Sequence, residues 1–279
     1  MTTPNAGGRG PDPRPDPPIP HPARVYNCWL GGKDHYPADR KAAEDVIRYR
    51  PQVVAGARQN RYFLARAVRY LAGRGIRQFL DIGSGLPAPG NTHEIAQDVD
   101  PRARIVYADN DPLVVAHARA ALTTTPGGAC ACIQADLRDP AVILDQAAAT
   151  LDLTAPVAVL LLAVLHFLSD AEDPAGTIAA LANGLAPGSY LAITHLTADF
   201  ALASVTSGVS AYNNAVPLWI TARSHAQVTA LLGGRPLVPP GVVPVTGWRP
   251  GPGNPFNEPA DLYAGIARTT TQRQGRRAA

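Results

Sequence analysis

Cysteine is scarce in this chain: only Cys28, Cys130 and Cys132 occur among 279 residues. Cys130 and Cys132 flank a single residue in what reads as a strand, which is not the CxxC spacing of a metal pair, and disulfide scaffolds carry many more cysteines. No metal site is expected, and a reduced, cytoplasmic protein fits best. Long apolar runs are missing as well. Nothing approaches the ~18 apolar residues that mark a membrane span, and the N-terminus has no signal-peptide core. Charge of one sign is equally thin. The formal net charge is +3, and Arg273, Arg276 and Arg277 near the C-terminus carry much of the excess, which is a poor basis for a nucleic-acid partner.

What remains is an ordinary globular composition, 46% hydrophobic and 17% charged, in a chain long enough for a substantial core. No internal repeat is visible. Residues 1–20 are crowded with prolines and short of large apolar side chains, so they are expected to be disordered, as is the basic tail 269–279. Pro22 to Tyr36 shows neither a helical nor a strand period, yet carries Tyr26, Trp29 and Tyr36 around a Gly31-Gly32 turn. It reads either as a structural arm or as a lid. Helical patterns follow over Ala38–Arg48 and Gln52–Leu71, divided by Pro51. Residues 21–76 are therefore read as an N-terminal arm and helices forming a lid over a domain spanning 77–268. The arginines of the second helix read as a solvated face, although Asn60 and Arg61 could instead reach a bound cofactor.

From Arg77 onward strands alternate with helices. Strands are expected over Phe79–Ile82, Arg104–Asp109, Cys130–Gln134, Pro156–Leu162 and Tyr190–Thr194, with shorter ones near Leu237–Val243 and Leu262–Arg268. Asn91 and Glu94 form a plausible capping box, and Asp111-Pro112 opens another helix. Further helices are expected over Pro140–Thr150, Asp173–Ala186, Asp199–Ser207 and Thr221–Leu232. The alternation predicts an α/β fold: a doubly wound, mostly parallel seven-stranded sheet with an N-terminal helical extension. His93-Glu94 with Gln97 lacks the second histidine of a zinc-protease helix.

The chemistry concentrates at Phe79-Leu-Asp-Ile-Gly-Ser-Gly85. A short buried run ends in a glycine turn, with the carboxylate of Asp81 inside it, where burial is costly without donors. Asp109 and Asp136 close the next two strands. In open α/β sheets such strand ends converge on one ligand crevice.

In combination these stretches resemble the class I S-adenosylmethionine-dependent methyltransferases. Leu80-Asp-Ile-Gly-Ser-Gly85 looks like their first motif, Val106-Tyr-Ala-Asp109 like the second and Ala135-Asp136-Leu137 like the third. The arm from Pro22 to Asp39, Asn60–Arg69 and Ala163–Leu168 look like a bacterial, actinobacterial-type S-adenosyl methyltransferase branch of unassigned substrate. The resemblance implies S-adenosylmethionine as cofactor, met by Asp81, Gly83, Ser84, Gly85 and Leu86 at its methionine part. It implies Asp109 at the ribose hydroxyls and Asp136 with Leu137 at the adenine. Asn110, Ala163, Val164 and Leu165 would flank the ring and the sulfonium.

Two other readings stay open. Gly83-Ser-Gly85 with Ala88 formally satisfies the G-x-G-x-x-A dinucleotide pattern of a nicotinamide-dependent oxidoreductase, although Pro87 and Pro89 obstruct the helix start it needs and Asp81 would repel phosphate. The other is a cofactor-binding regulatory protein without turnover. No Asn/Asp-Pro-Pro-aromatic segment follows the fourth strand, which favours a small-molecule acceptor. His166 and His195 could act as general bases or be packed side chains. Tyr26, Trp29, Lys33, Asp34, His35, Tyr212, Asn213 and Trp219 are candidates for the substrate wall. Oligomeric state is left open.

Overall fold

The computed structural model describes residues 19–251 and 259–270; the expectations for residues 1–18 and 271–279 lie outside them. Seven strands form: β1 (Gln78–Ile82), β2 (Arg104–Asp109), β3 (Ala129–Gln134), β4 (Ala158–Leu162), β5 (Tyr190–Leu196), β6 (Val243–Pro244) and β7 (Leu262–Arg268). They build one sheet in the order β3-β2-β1-β4-β5-β7-β6. The first five pair in parallel, whereas β7 runs antiparallel to β5 and to β6.

Both faces of the central strands are covered, which is why they read as continuous apolar runs. Leu80, Val106, Val159 and Leu161 face α6 (Pro140–Ala147) and α7 (Pro174–Asn183) in one apolar cluster with Ile143, Ile178 and Leu181. Phe79, Ile105 and Leu160 face the opposite layer, where they meet Phe63, Leu64, Val68 and Leu71 of α3 (Val53–Ala72) and Ile95 of α4 (Thr92–Val99). The helix α3 is thus part of the sheet's covering layer and not of a separate lid. A third apolar cluster joins α1 (Pro22–Trp29) and α2 (Pro37–Tyr49) to α8 (Leu202–Ala215) through Val25, Ala42, Val46 and Tyr212. Among the described residues the remaining α-helices are α5 (Pro112–Ala121) and α9 (His225–Leu231). No helix among the described residues is long and apolar enough to cross a membrane.

Several expectations need correction. Pro22–Trp29 is helical: Pro22 opens the helix and the His21 ring accepts from the Ala23 N–H at 3.3 Å. Its buried face holds Arg24 and Asn27 beside Val25, so the helix has no apolar period to read. The helix expected to end at Ser207 continues to Ala215 and carries Tyr212 and Asn213. The strand expected over Leu237–Val243 shrinks to a bridge at Leu237 and the two residues of β6. Pro239 and Pro240 lack N–H donors, and Gly241 turns the chain at φ +93°, so no ladder can run through them. At the C-terminal boundary, Thr269 belongs to the fold: it is buried and its N–H donates to Ser189 O at 2.8 Å.

Candidate active site

The strand order reverses between β1 and β4, and a crevice opens where their following loops diverge. Gly83 turns at φ +70° and Gly85 at φ +66°. A Cβ on Gly83 would stand 2.5 Å from Cγ2 of Val164 in the loop after β4, so only glycine lets the two loops close on each other. Ala163 adopts φ +55°, a strained conformation of the kind that clusters at functional sites.

The three strand-end carboxylates meet here in different states. Asp81 is buried and accepts from Thr92 Oγ1 at 2.6 Å, which ties it to the start of α4. Burial pushes its pKa up to about 6. Asp109 is also buried; Oδ2 accepts from the Gly85 N–H at 2.9 Å and Oδ1 from the Asp111 N–H at 3.0 Å. Burial outweighs these hydrogen bonds and raises its pKa to about 6. Asp136 is half-exposed. Burial pushes its pKa upward, but hydrogen bonds from the Arg138 N–H at 2.9 Å and Asn110 Nδ2 at 3.0 Å leave it below the ordinary carboxylate value.

Asp81, Asp109 and Asp136 border one cavity of about 230 Å³, together with Gly83, Ser84, Gly85, Asn110, Leu137, Ala163, Val164, Asn60 and Arg61. Leu86 and Leu165 are buried but do not border it. Asn60 is the centre of a buried chain of hydrogen bonds. The Ala163 N–H donates to Thr194 Oγ1 at 2.8 Å, and Thr194 donates to Asn60 Oδ1 at 2.7 Å. Asn60 Nδ2 donates to Tyr26 Oη at 3.0 Å, which donates to Ala57 O at 2.9 Å. The strained turn after β4 is thereby tied to α3 and α1. Arg61 closes the proline segment by donating to Gly90 O at 2.8 Å.

Asp111 does more than cap α5, where it accepts from the Leu113 N–H at 2.9 Å. Its Oδ2 also receives Arg24 Nη1 at 2.9 Å and lies 3.1 Å from His21 Nδ1. The same buried Arg24 donates through Nε to Asp39 at 2.9 Å. One guanidinium therefore fastens α1 and α2 to the loop that carries Asp109. Nothing local in the sequence signals this pairing of residues 87 positions apart.

The other half of the cavity is walled by Tyr26, Trp29, Phe167 and Tyr212, with aliphatic residues including Val46, Val53, Val205, Val209 and Ile220. His166 and Phe167 sit on a short 3-10 turn after β4, Leu165–Phe167. His166 borders the cavity, with Nδ1 enclosed and unpartnered. Burial, together with His195 and Arg223, holds its pKa well below 6.5. His195 does not border the cavity. Its Nδ1 meets Leu196 O at 2.8 Å and its Nε2 meets Arg223 Nη1 at 2.9 Å, and burial lowers its pKa to about 4. With both nitrogens engaged it is a packed partner of Arg223 and has no free edge for an acceptor. Lys33, Asp34, His35, Asn213 and Trp219 also stay outside the cavity wall. The Asp34 N–H donates to Asn27 Oδ1, and Asn213 Oδ1 receives the Ile220 N–H at 2.8 Å. Trp219 is 73% exposed, while its neighbours Leu218 and Ile220 line the cavity. Sequence reasoning missed Arg50 and Asp261 in the wall. Arg50 Nε donates to Asp261 Oδ2 at 2.7 Å and Nη1 to Ser204 Oγ at 2.6 Å.

The dinucleotide pattern fails on geometry: α4 begins only at Thr92, so Ala88 is not in its first turn and no helix N-terminus follows Gly85 directly. His93 and Gln97 are structural, bonded to Tyr107 Oη at 2.8 Å and to Ala103 O at 3.1 Å.

A family model described as S-adenosyl methyltransferase matches residues 11–270. The chain belongs to this family. A DUF574 family protein from Streptomyces avermitilis MA-4680 is 41% identical at a TM-score of 0.86, over 90% of this chain and 98% of that one. A Thermobifida fusca YX protein provisionally assigned as a methyltransferase is 40% identical at a TM-score of 0.84, over 93% and 98%. The plantazolicin methyltransferase BpumL, solved with S-adenosylhomocysteine, shares the fold alone: 16% identity and a TM-score of 0.52 over 88% and 95%. No relative with a curated function matches. As a member of the S-adenosyl methyltransferase family, the protein is an S-adenosylmethionine-dependent enzyme. The crevice suits that cofactor. Gly85 leaves open space where a Cβ would stand, the buried Ser84 Oγ has no partner, and Asp109 presents a carboxylate at the second strand end.

Proposed function

We propose that the protein transfers the methyl group of S-adenosylmethionine in line to a small-molecule acceptor held in the aromatic half of the cavity. The observation that carries this is the joining of the strand-end carboxylates and the aromatic chamber in one cavity. In this reading Asp81 and the turn Gly83–Gly85 hold the methionine part, and Asp109 takes the ribose hydroxyls. Asp136, Leu137 and Asn110 flank the adenine. Ala163, Val164, Asn60 and Arg61, which border the cavity, shape the passage from the ring and the sulfonium to the acceptor.

When bound, S-adenosylmethionine supplies an electrophilic methyl carbon, and the electron pair of its carbon–sulfur bond departs with the sulfur. The chain must then align the acceptor's lone pair with that carbon, keep water out and remove a proton where the acceptor carries one. In this reading His166 takes that proton; it borders the cavity, and burial keeps its imidazole neutral. The helices α1, α2 and α8 close the chamber. Three free cysteines fit a reduced compartment.

The test is incubation with methyl-labelled S-adenosylmethionine and a whole-cell lysate of an actinobacterium, followed by size fractionation. Label in the low-molecular-weight fraction is expected. Label confined to protein or nucleic acid would overturn the small-molecule reading, and cofactor binding without any label transfer would point to a regulator.

A further inference from the structure

We propose that Arg61 takes the carboxylate of the cofactor's amino-acid tail and makes the site specific for a tail that carries one. This rests on the methyl-transfer reading of the crevice and adds the residue that discriminates among forms of the cofactor. Three arginines border the cavity: Arg50, Arg61 and Arg138. Arg50 is paired with Asp261, and Arg138 with Asp136 at 3.3 Å and Glu172 at 2.7 Å. Arg61 has no carboxylate partner among the described residues. Its Nη2 donates to the carbonyls of Gly90 at 2.8 Å, Pro89 at 3.3 Å and Ala88 at 3.5 Å. Those bonds fix the guanidinium against the segment that follows the glycine turn and leave its charge unmatched. The donors on Nε and Nη1 have no hydrogen bond among the described residues and are not enclosed.

The place of that charge selects the ligand group. Arg61 borders the main cavity and a side recess of about 10 Å³, and Asp81, Ser84 and Gly85 border both with it. In the proposed site these three hold the methionine part. Asp81 is the converse of Arg61: a buried carboxylate that accepts from the Thr92 hydroxyl and forms no ion pair among the described residues. Burial raises its pKa, and the positive charge of Arg61 works against that rise. An unmatched cation and an unmatched anion this close are both answered by a ligand with a carboxylate and an ammonium on one carbon. A phosphate would satisfy Arg61 and be repelled by Asp81. An amine alone would satisfy Asp81 and leave Arg61 as it is. The α-amino-acid tail of S-adenosylmethionine meets both.

The test is calorimetric titration of the full chain and of Arg61→Met with S-adenosylhomocysteine and with its decarboxylated analogue, S-adenosyl-3-thiopropylamine, which keeps the ammonium. The wild type is expected to bind S-adenosylhomocysteine at least tenfold more tightly than the analogue. Arg61→Met should weaken S-adenosylhomocysteine at least tenfold and change the analogue less than threefold, which erases the preference. Arg61→Lys keeps the charge without the planar fork and should retain part of it. If Arg61 serves only to hold the loop carbonyls, Arg61→Met weakens both ligands alike, and that result overturns the proposal. A preference undiminished in Arg61→Met also overturns it, and so does a wild type that binds both ligands equally. Weaker benzoate binding to Arg61→Met saturated with S-adenosylhomocysteine, with S-adenosylhomocysteine affinity unchanged, would assign the arginine to the acceptor and overturn it too. Failure of S-adenosylhomocysteine to bind the wild type would overturn the methyl-transfer reading itself, whereas normal binding with any of these contrary results overturns only the role of Arg61.

Discussion

Replacing Arg24 by methionine tests whether one buried guanidinium holds the chamber's outer helices to the cofactor loop. Arg24 is 5% exposed and reaches Asp39, Asp111 and Ile19 O, each at 2.9 Å. Methionine fills similar space without the charge, so two buried carboxylates lose their cation. Removing one partner of a buried ion pair costs about 3–5 kcal/mol. Asp39 keeps the N–H groups of His21 and Tyr36, and Asp111 keeps that of Leu113, so the lower end of the range applies. At about 2–4 °C per kcal/mol for a domain of this size, Tm should fall by roughly 6–12 °C. Adding Asp111→Asn should recover part of the loss, because one stranded charge disappears. The Asp111 N–H holds Asp109 in place, so Arg24→Met should also weaken S-adenosylhomocysteine binding, by roughly threefold to tenfold. Thermal unfolding followed by circular dichroism and calorimetric titration read the two effects. A Tm within about 2 °C of wild type, with unchanged affinity, would refute the idea of a lock, because it corresponds to no more than ~1 kcal/mol.

Three further outcomes follow from the site. Asp81 and Asp109 both have pKa values raised to about 6 by burial. In the free protein their stabilising contribution is full below the ordinary carboxylate range and is lost as pH rises through about 6. In the proposed site the cofactor is held by the charged forms, so its binding runs the other way, and calorimetry should find S-adenosylhomocysteine affinity at least tenfold lower near pH 5 than near pH 7.5. His195→Gln should lower urea-unfolding stability by ~1–3 kcal/mol, because Arg223 loses a buried acceptor, and leave cofactor affinity unchanged. Gly83→Ala should cost ~1–2 kcal/mol in the left-handed turn alone, plus the clash with Val164, and should abolish detectable cofactor binding in the same titration.

The parts of the site that follow from local rules were legible in the chain. Asp81, Asp109 and Asp136 could be placed because the ends of parallel strands share one edge, and strand ends are readable where apolar runs stop. The parts built from distant charges were not. Arg50 and Asp261 are 211 residues apart and Arg24 and Asp111 are 87 apart, and a surface arginine and a buried one look the same in sequence. The first helix escaped because its inner face is polar. His195 was misplaced because β5 continues to Leu196, which keeps His195 in the sheet and turns its ring toward Arg223. Trp219 and its neighbours show the same limit, since alternation decides which of three apolar residues faces inward.

The most direct test of the central claim, that the strand-end carboxylates hold S-adenosylmethionine, is the affinity of folded Asp109→Ala for S-adenosylhomocysteine, measured by calorimetry against wild type. The carboxylate fixes the glycine turn through Gly85 and the loop through Asp111, and in this account it also receives the ribose hydroxyls. Charge-assisted hydrogen bonds are worth about 1.5–3 kcal/mol each, partly recovered by water. The account therefore predicts affinity lower by roughly tenfold to a few hundredfold. Wild-type affinity in a correctly folded Asp109→Ala protein would contradict it and move the cofactor away from the end of β2.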